Sequence, residues 1–91
     1  MIAISLQAKQ FVDRKAKYGS ELYARFLLSV AIAIIDCIQL RREHKYFKHW
    51  RFHYRLVRDV ALLTEKHSWD AEMVKSDLQK LFDLASKPYL P

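Results

Sequence analysis

Residues 21–42 read ELYARFLLSVAIAIIDCIQLRR. At about 100° per residue, Glu21, Arg25, Ser29, Asp36 and Gln39 fall on one narrow stripe, with Ile32 as the apolar residue in that line. The remaining circumference, roughly 280°, is apolar. A helix this apolar must be surrounded on most sides. The segment therefore predicts the central helix of a small all-α bundle, or a helix seated in a homodimer interface. A membrane span is not expected. The unbroken apolar run FLLSVAIAII is bounded by Arg25 and Asp36, and a span needs about twenty predominantly apolar residues.

Three further helices follow from the flanks. Before the central segment, Ile4, Ala8, Phe11, Val12 and Tyr18 keep helical spacing with polar residues between them. Gly19, the only glycine, is placed to end that helix in a left-handed cap. Ser20 then caps the central helix, and Glu21 suits its positive end. After the central segment, residues 42–45 predict a short hairpin turn, and a helix follows from about Lys45 to Lys66. The last helix opens on Ser68 as N-cap, with Asp70 and Glu72 in its first turn. Val74, Leu78, Leu81 and Ala85 recur along it, and Lys87 and Pro88 close it. The expected architecture is one domain over residues 1–91, an antiparallel bundle of three to four helices.

Composition agrees. Hydrophobic residues make up 52% of the chain, and there are one glycine and two prolines. So few breakers leave little turn chemistry for a β-protein. Cys37 is the only cysteine, which excludes an intrachain disulfide and suits a small buried hydrophobe in a reducing, intracellular (cytoplasmic) setting. The opening MIAISLQAKQFVDRK lacks the basic-then-apolar order of a signal peptide.

Charge is concentrated in residues 41–58, RREHKYFKHWRFHYRLVR. Arg41, Arg42, Lys45, Lys48, Arg51, Arg55 and Arg58 oppose Glu43 alone, so this segment carries a charge equal to the net +6 of the whole chain. Arg41, Lys48, Arg51, Arg55 and Arg58 fall on one arc of about 100°, into which Asp59 and Leu62 intrude. Exposed helices ordinarily mix signs, so a one-sign arc predicts an anionic partner. Arginine binds phosphate through planar, bidentate hydrogen bonds, which puts nucleic acid first. An acidic protein surface is the alternative. These seven basic residues are the candidate binding site.

Tyr46, Trp50, Tyr54, Val57, Val60 and Ala61 occupy the far side of the same helix, flanked by Phe47, Leu56 and Leu63. The position of Tyr46, Trp50 and Tyr54 opposite the arginines predicts core rather than a stacking surface for bases, and only Phe47, near the edge of the basic arc, partly qualifies for stacking. A helix-turn-helix over residues 56–86 is disfavoured because Asp70, Glu72, Asp77 and Asp83 would meet phosphate on the recognition helix.

His49 and His53 stand at i, i+4, a spacing that can place two imidazoles on one metal if Asp36 or His44 supplies a third ligand. On an apolar arc, hydrogen-bonded packing histidines are expected instead, with no metal or cofactor. Asp36, if buried, is expected to pair with Arg41, Arg42 or a histidine. No catalytic signature is present. The sequence predicts a non-enzymatic binding or regulatory protein.

Overall fold

In a computed structural model, residues 5–18 and 20–86 are described. Four helices follow one another: α1 (Leu6–Tyr18), α2 (Glu21–Arg42), α3 (Tyr46–Lys66) and α4 (Ala71–Ser86). The expected all-α bundle with a central apolar helix over 21–42 is what forms. The expectations for Ile4, Gly19, Lys87 and Pro88 lie outside the described residues, as does the side chain of Tyr18.

α2 packs against α1, α3 and α4, and α1 also packs against α4. Ten residues of α2 are buried, from Tyr23 to Ile38. Around them pack Ala8, Phe11 and Val12 of α1 and Val74, Leu81 and Ala85 of α4. Alanines at positions 8, 24, 31 and 85 let these backbones approach closely. The polar stripe of α2 faces outward as the wheel requires: Glu21, Arg25, Ser29 and Gln39 are exposed, and Ile32 in that line is 40% exposed. Three neighbours therefore cover nearly all of the broad apolar arc, leaving only Leu22 and Leu28 uncovered beside Ile32.

α3 is different. Its extended contact among the described residues is with α2, and none of its residues is buried. One neighbour can cover only a stripe of about 100°. His49, Phe52, Leu56, Val60 and Leu63 form that stripe and are half-buried. The aromatic side expected in the core is outside it. Tyr46, Trp50, Tyr54 and Val57 are 52%, 66%, 68% and 55% exposed, and Phe47 is 81% exposed. The expectation failed because the apolar arc of α3 is wider than one neighbour, and α2 lies against the other part of it.

Both long-helix turns are made without glycine. At the end of α2, the Lys45 amide donates to the Leu40 carbonyl at 2.9 Å and the His44 amide to Arg41 at 3.1 Å. His44 takes the left-handed conformation between them, with φ 59°. This is the Schellman pattern, and it reverses the chain within residues 43–45. The end of α3 repeats it: Trp69 donates to Thr64 at 3.0 Å, Ser68 to Glu65 at 3.2 Å, and Ser68 has φ 53°. Ser68 is thus the terminator of α3 and not the N-cap of α4. Asp70 caps α4, its Oδ1 accepting from the Glu72 amide at 2.9 Å and the Met73 amide at 3.3 Å. Ser20 caps α2 as expected, accepting from the Tyr23 amide at 3.4 Å.

One buried polar group ties three helices together. Asp77 of α4 is 7% exposed. It accepts a 2.6 Å hydrogen bond from the Tyr23 hydroxyl of α2 and lies 3.2 Å from Lys15 Nζ of α1. Burial, then the hydrogen bond and charge of Asp77, push the Tyr23 hydroxyl well above its ordinary pKa. Trp69 closes the same end of the core, 5.0 Å from the Tyr23 ring and 4.9 Å from Phe26.

Candidate functional site

The second half of residues 41–58 forms the exposed basic arc. Lys48, Arg51, Arg55 and Arg58 all lie on α3 and all are exposed. They recur at separations of three or four residues, so successive cations stack along one face. From Lys48 to Arg58 the arc is about 15 Å long at 1.5 Å rise per residue. Among the described residues, Arg51 and Arg55 are in no ion pair. Arg58 lies 3.8 Å from Asp59, with both side chains more than half exposed, a separation and setting worth little. The first turn of α3 holds no acidic residue, and no side chain caps it. The positive end of the helix dipole therefore adds to the field of Lys48.

The other three candidate residues are placed apart from this arc. Arg41 and Arg42 form the last turn of α2, where their charge suits the negative end of that helix. Arg41 is thus not part of the α3 arc, because the turn at residues 43–45 breaks the wheel on which it was aligned. Both arginines line a cleft of about 410 Å³ between the end of α2, the start of α3 and Phe82 of α4. Lys45 sits in the turn and pairs with Glu43 at 3.0 Å. A hydrogen bond from Gln39, and then Lys45, hold the Glu43 carboxyl below its ordinary pKa. Glu43 thus offsets one of the three positive charges, Arg41, Arg42 and Lys45, around the turn.

The aromatic side adjoins the basic arc. Trp50, Tyr54 and Phe47 occupy the sector of α3 between the stripe facing α2 and the arc of Arg51 and Arg58. The exposed surface of α3 therefore carries an aromatic sector beside a cationic one. The sequence signal for this arrangement was present in the spacing, but only the position of α2 shows which apolar sector is covered.

Of the two histidines expected to pack, His49 is half-buried and hydrogen-bonded, whereas His53 is exposed because it lies outside the stripe of α3 that α2 covers. His49 Nδ1 is 3.0 Å from the Cys37 carbonyl oxygen, its ring stacks near His53 at 6.2 Å, and His44 Nδ1 is 2.8 Å from the Tyr46 hydroxyl. Among the described residues, no three His, Cys, Asp or Glu side chains are grouped to hold a metal ion. Asp36 is half-buried and, among the described residues, pairs with neither Arg41, Arg42 nor a histidine. Arg25 pairs with Glu21 at 3.1 Å on the surface.

The buried carboxylate is instead Asp77, which sequence reasoning left on an acidic surface. Its signal was its place three residues after Val74 and four before Leu81, on the buried line of α4. Cys37 is buried as expected. Burial, and then the charge of Asp36, push its thiol pKa up. No helix among the described residues is long and apolar enough to cross a membrane.

Comparison with known protein families, curated proteins and solved structures returns no match to this chain.

Proposed function

We propose that this protein is a non-enzymatic, intracellular binding protein whose α3 docks on the phosphate backbone of nucleic acid. The observation that carries this reading is the arc of Lys48, Arg51, Arg55 and Arg58, exposed along one face and nearly free of carboxylates. Each arginine offers a planar pair of donors to a phosphate. A helix face about 15 Å long meets a few successive phosphates of one strand. Backbone contacts of this kind hold and position the chain without reading sequence. Arg41 and Arg42 add positive charge near the amino-terminal end of α3 but outside this arc, and Lys45 there is paired with Glu43.

A second reading has its own support. Exposed Trp50, Tyr54 and Phe47 beside arginines give the residue mixture enriched at protein interfaces. Under that reading the same face meets an acidic protein surface, and the protein acts as an interaction or inhibitor module.

Purification with and without nuclease separates the two. Nucleic-acid binding predicts raised absorbance at 260 nm that high salt removes, and a binding constant that falls log-linearly with salt. A protein that purifies free of nucleic acid, and whose affinity for duplex and single-stranded oligonucleotides is undetectable at low salt, refutes the first reading.

A further inference from the structure

The uncovered side of α3 has a regular pattern. Phe47, Trp50, Tyr54, Val57, Ala61 and Thr64 follow one another at separations of three, four, three, four and three residues. That is the alternation of a coiled-coil seam, which brings one line of side chains against a facing helix. Most of the line is surface and not core: Phe47, Trp50, Tyr54 and Val57 are 81%, 66%, 68% and 55% exposed and Ala61 is exposed, while Thr64 at its end is half-buried where the line meets the cleft between α3 and α4.

We propose that this seam pairs with the same seam of a second copy, the two α3 helices running antiparallel about a two-fold axis. Three observations select this occupant and this direction.

The first is area. At about 200 Å² per aromatic side chain, Phe47, Trp50, Tyr54 and the flanking Tyr46, together with Val57, present roughly 600 Å² per copy. Two copies then bury about 1,200 Å², the lower bound of a standard specific interface.

The second is size. In the antiparallel register that opposes Tyr54 to Val57 of the second copy, Trp50 meets Ala61 and Phe47 meets Thr64. Each large side chain faces a small one, so the layers interdigitate and fill space evenly. A parallel pair in register would set Trp50 on Trp50 and Ala61 on Ala61, which crowds one layer and empties another.

The third is charge. Residues 45–58 of α3 and its turn carry Lys45, Lys48, Arg51, Arg55 and Arg58, whereas residues 59–66 carry Asp59 and Glu65 against Lys66. Antiparallel pairing brings Glu65 of each copy toward Lys45 of the other. Parallel pairing stacks the two basic halves together.

The geometry has a consequence for the basic arc. A two-fold axis perpendicular to α3 keeps the arcs of both copies on the same side of the pair. Arg51 and Arg58 then flank the seam opposite their counterparts, and the two arcs join into one wider cationic surface. Repulsion between these flanks opposes pairing, so salt that screens it strengthens the dimer. Salt has the opposite effect on a polyanion complex. The dimer does not depend on what the arc binds.

Sedimentation equilibrium of the nucleic-acid-free protein from low micromolar to a few hundred micromolar, at low and high salt, tests this. The expected result is a reversible dimer of the 10.9 kDa chain that tightens with salt. Ala61→Trp, at an exposed position, places tryptophan against the Trp50 of the second copy and is expected to give a folded monomer by circular dichroism. Combining it with Trp50→Ala exchanges the large and small partners of that layer and is expected to restore the dimer. A chain that stays monomeric across this range overturns the proposal and leaves the seam to another occupant. A dimer indifferent to Ala61→Trp, or one not restored by the exchange, overturns the seam or its register.

Discussion

Removing one oxygen atom from the core tests how the helices are held together. Tyr23→Phe deletes the hydroxyl that donates to Asp77 at 2.6 Å and leaves the ring in place. Tyr23 is 4% exposed and Asp77 7% exposed, so water is poorly placed to substitute. A hydrogen bond to a buried charged acceptor is worth about 1.5–3 kcal/mol, and the carboxylate left behind keeps Lys15 alone as partner among the described residues. For a chain of this size, each kcal/mol moves the melting temperature by about 4–8 °C. The expected loss is therefore on the order of 6–24 °C. Asp77→Asn keeps an acceptor of similar shape but gives up the charge, and with it the ion pair to Lys15. The double variant should fall short of additivity by about 0.5–3 kcal/mol, as for any pair sharing one buried bond. A pH series adds a sign. The Tyr23 hydroxyl is held above its ordinary value of 10.0 in the folded state, by burial first and then by Asp77. Its contribution is complete below pH 10 and is lost as pH rises beyond that value toward the folded-state pKa. Tyr23→Phe should therefore flatten the alkaline limb of the stability profile relative to the parent. Urea unfolding followed by circular dichroism measures both. A Tyr23→Phe variant within about 0.5 kcal/mol of the parent, or a fully additive cycle, would refute the assignment of Asp77 as a buried tie between α1, α2 and α4.

The triple change Arg51→Gln, Arg55→Gln and Arg58→Gln should move stability by less than about 0.5 kcal/mol, because all three are exposed. The same variant should reduce the salt slope of DNA binding by up to about 3, and an unchanged slope would locate binding elsewhere. Asp70→Ala should cost about 1 kcal/mol as loss of the α4 cap, whereas Ser68→Gly should be neutral or stabilising by up to about 1 kcal/mol, since Ser68 holds a left-handed conformation; thermal melts that reverse this order would return the cap to Ser68. Backbone amides of α3 should exchange with solvent faster than those of α2 in the nucleic-acid-free monomer, because α3 buries no residue while α2 buries ten; equal protection would contradict that asymmetry. Cys37 should react with thiol reagents only slowly until the protein unfolds, since it is buried and its thiolate is disfavoured.

Helix number, helix order and the central position of α2 were legible in the residues themselves. They depend on local chemistry and on period: the polar line from Glu21 to Gln39, the Ser20 cap and the stripe Val74–Leu81–Ala85 each declare themselves within a few turns. The basic arc of Lys48, Arg51, Arg55 and Arg58 was legible for the same reason, since residues three and four apart on one helix must share a face. Glycine-free turns were harder. His44 and Ser68 adopt left-handed conformations only because the ends of α2 and α3 offer carbonyls to the following amides, and composition does not announce that. Tertiary structure alone decided which side of α3 meets α2. The apolar arc of that helix is wider than one neighbour can cover, so period gives its extent but not its buried part. The same limit hid Asp77. A carboxylate on a buried line is tolerable only if a donor from another helix reaches it, and Tyr23 does so across a sequence separation that no local pattern spans.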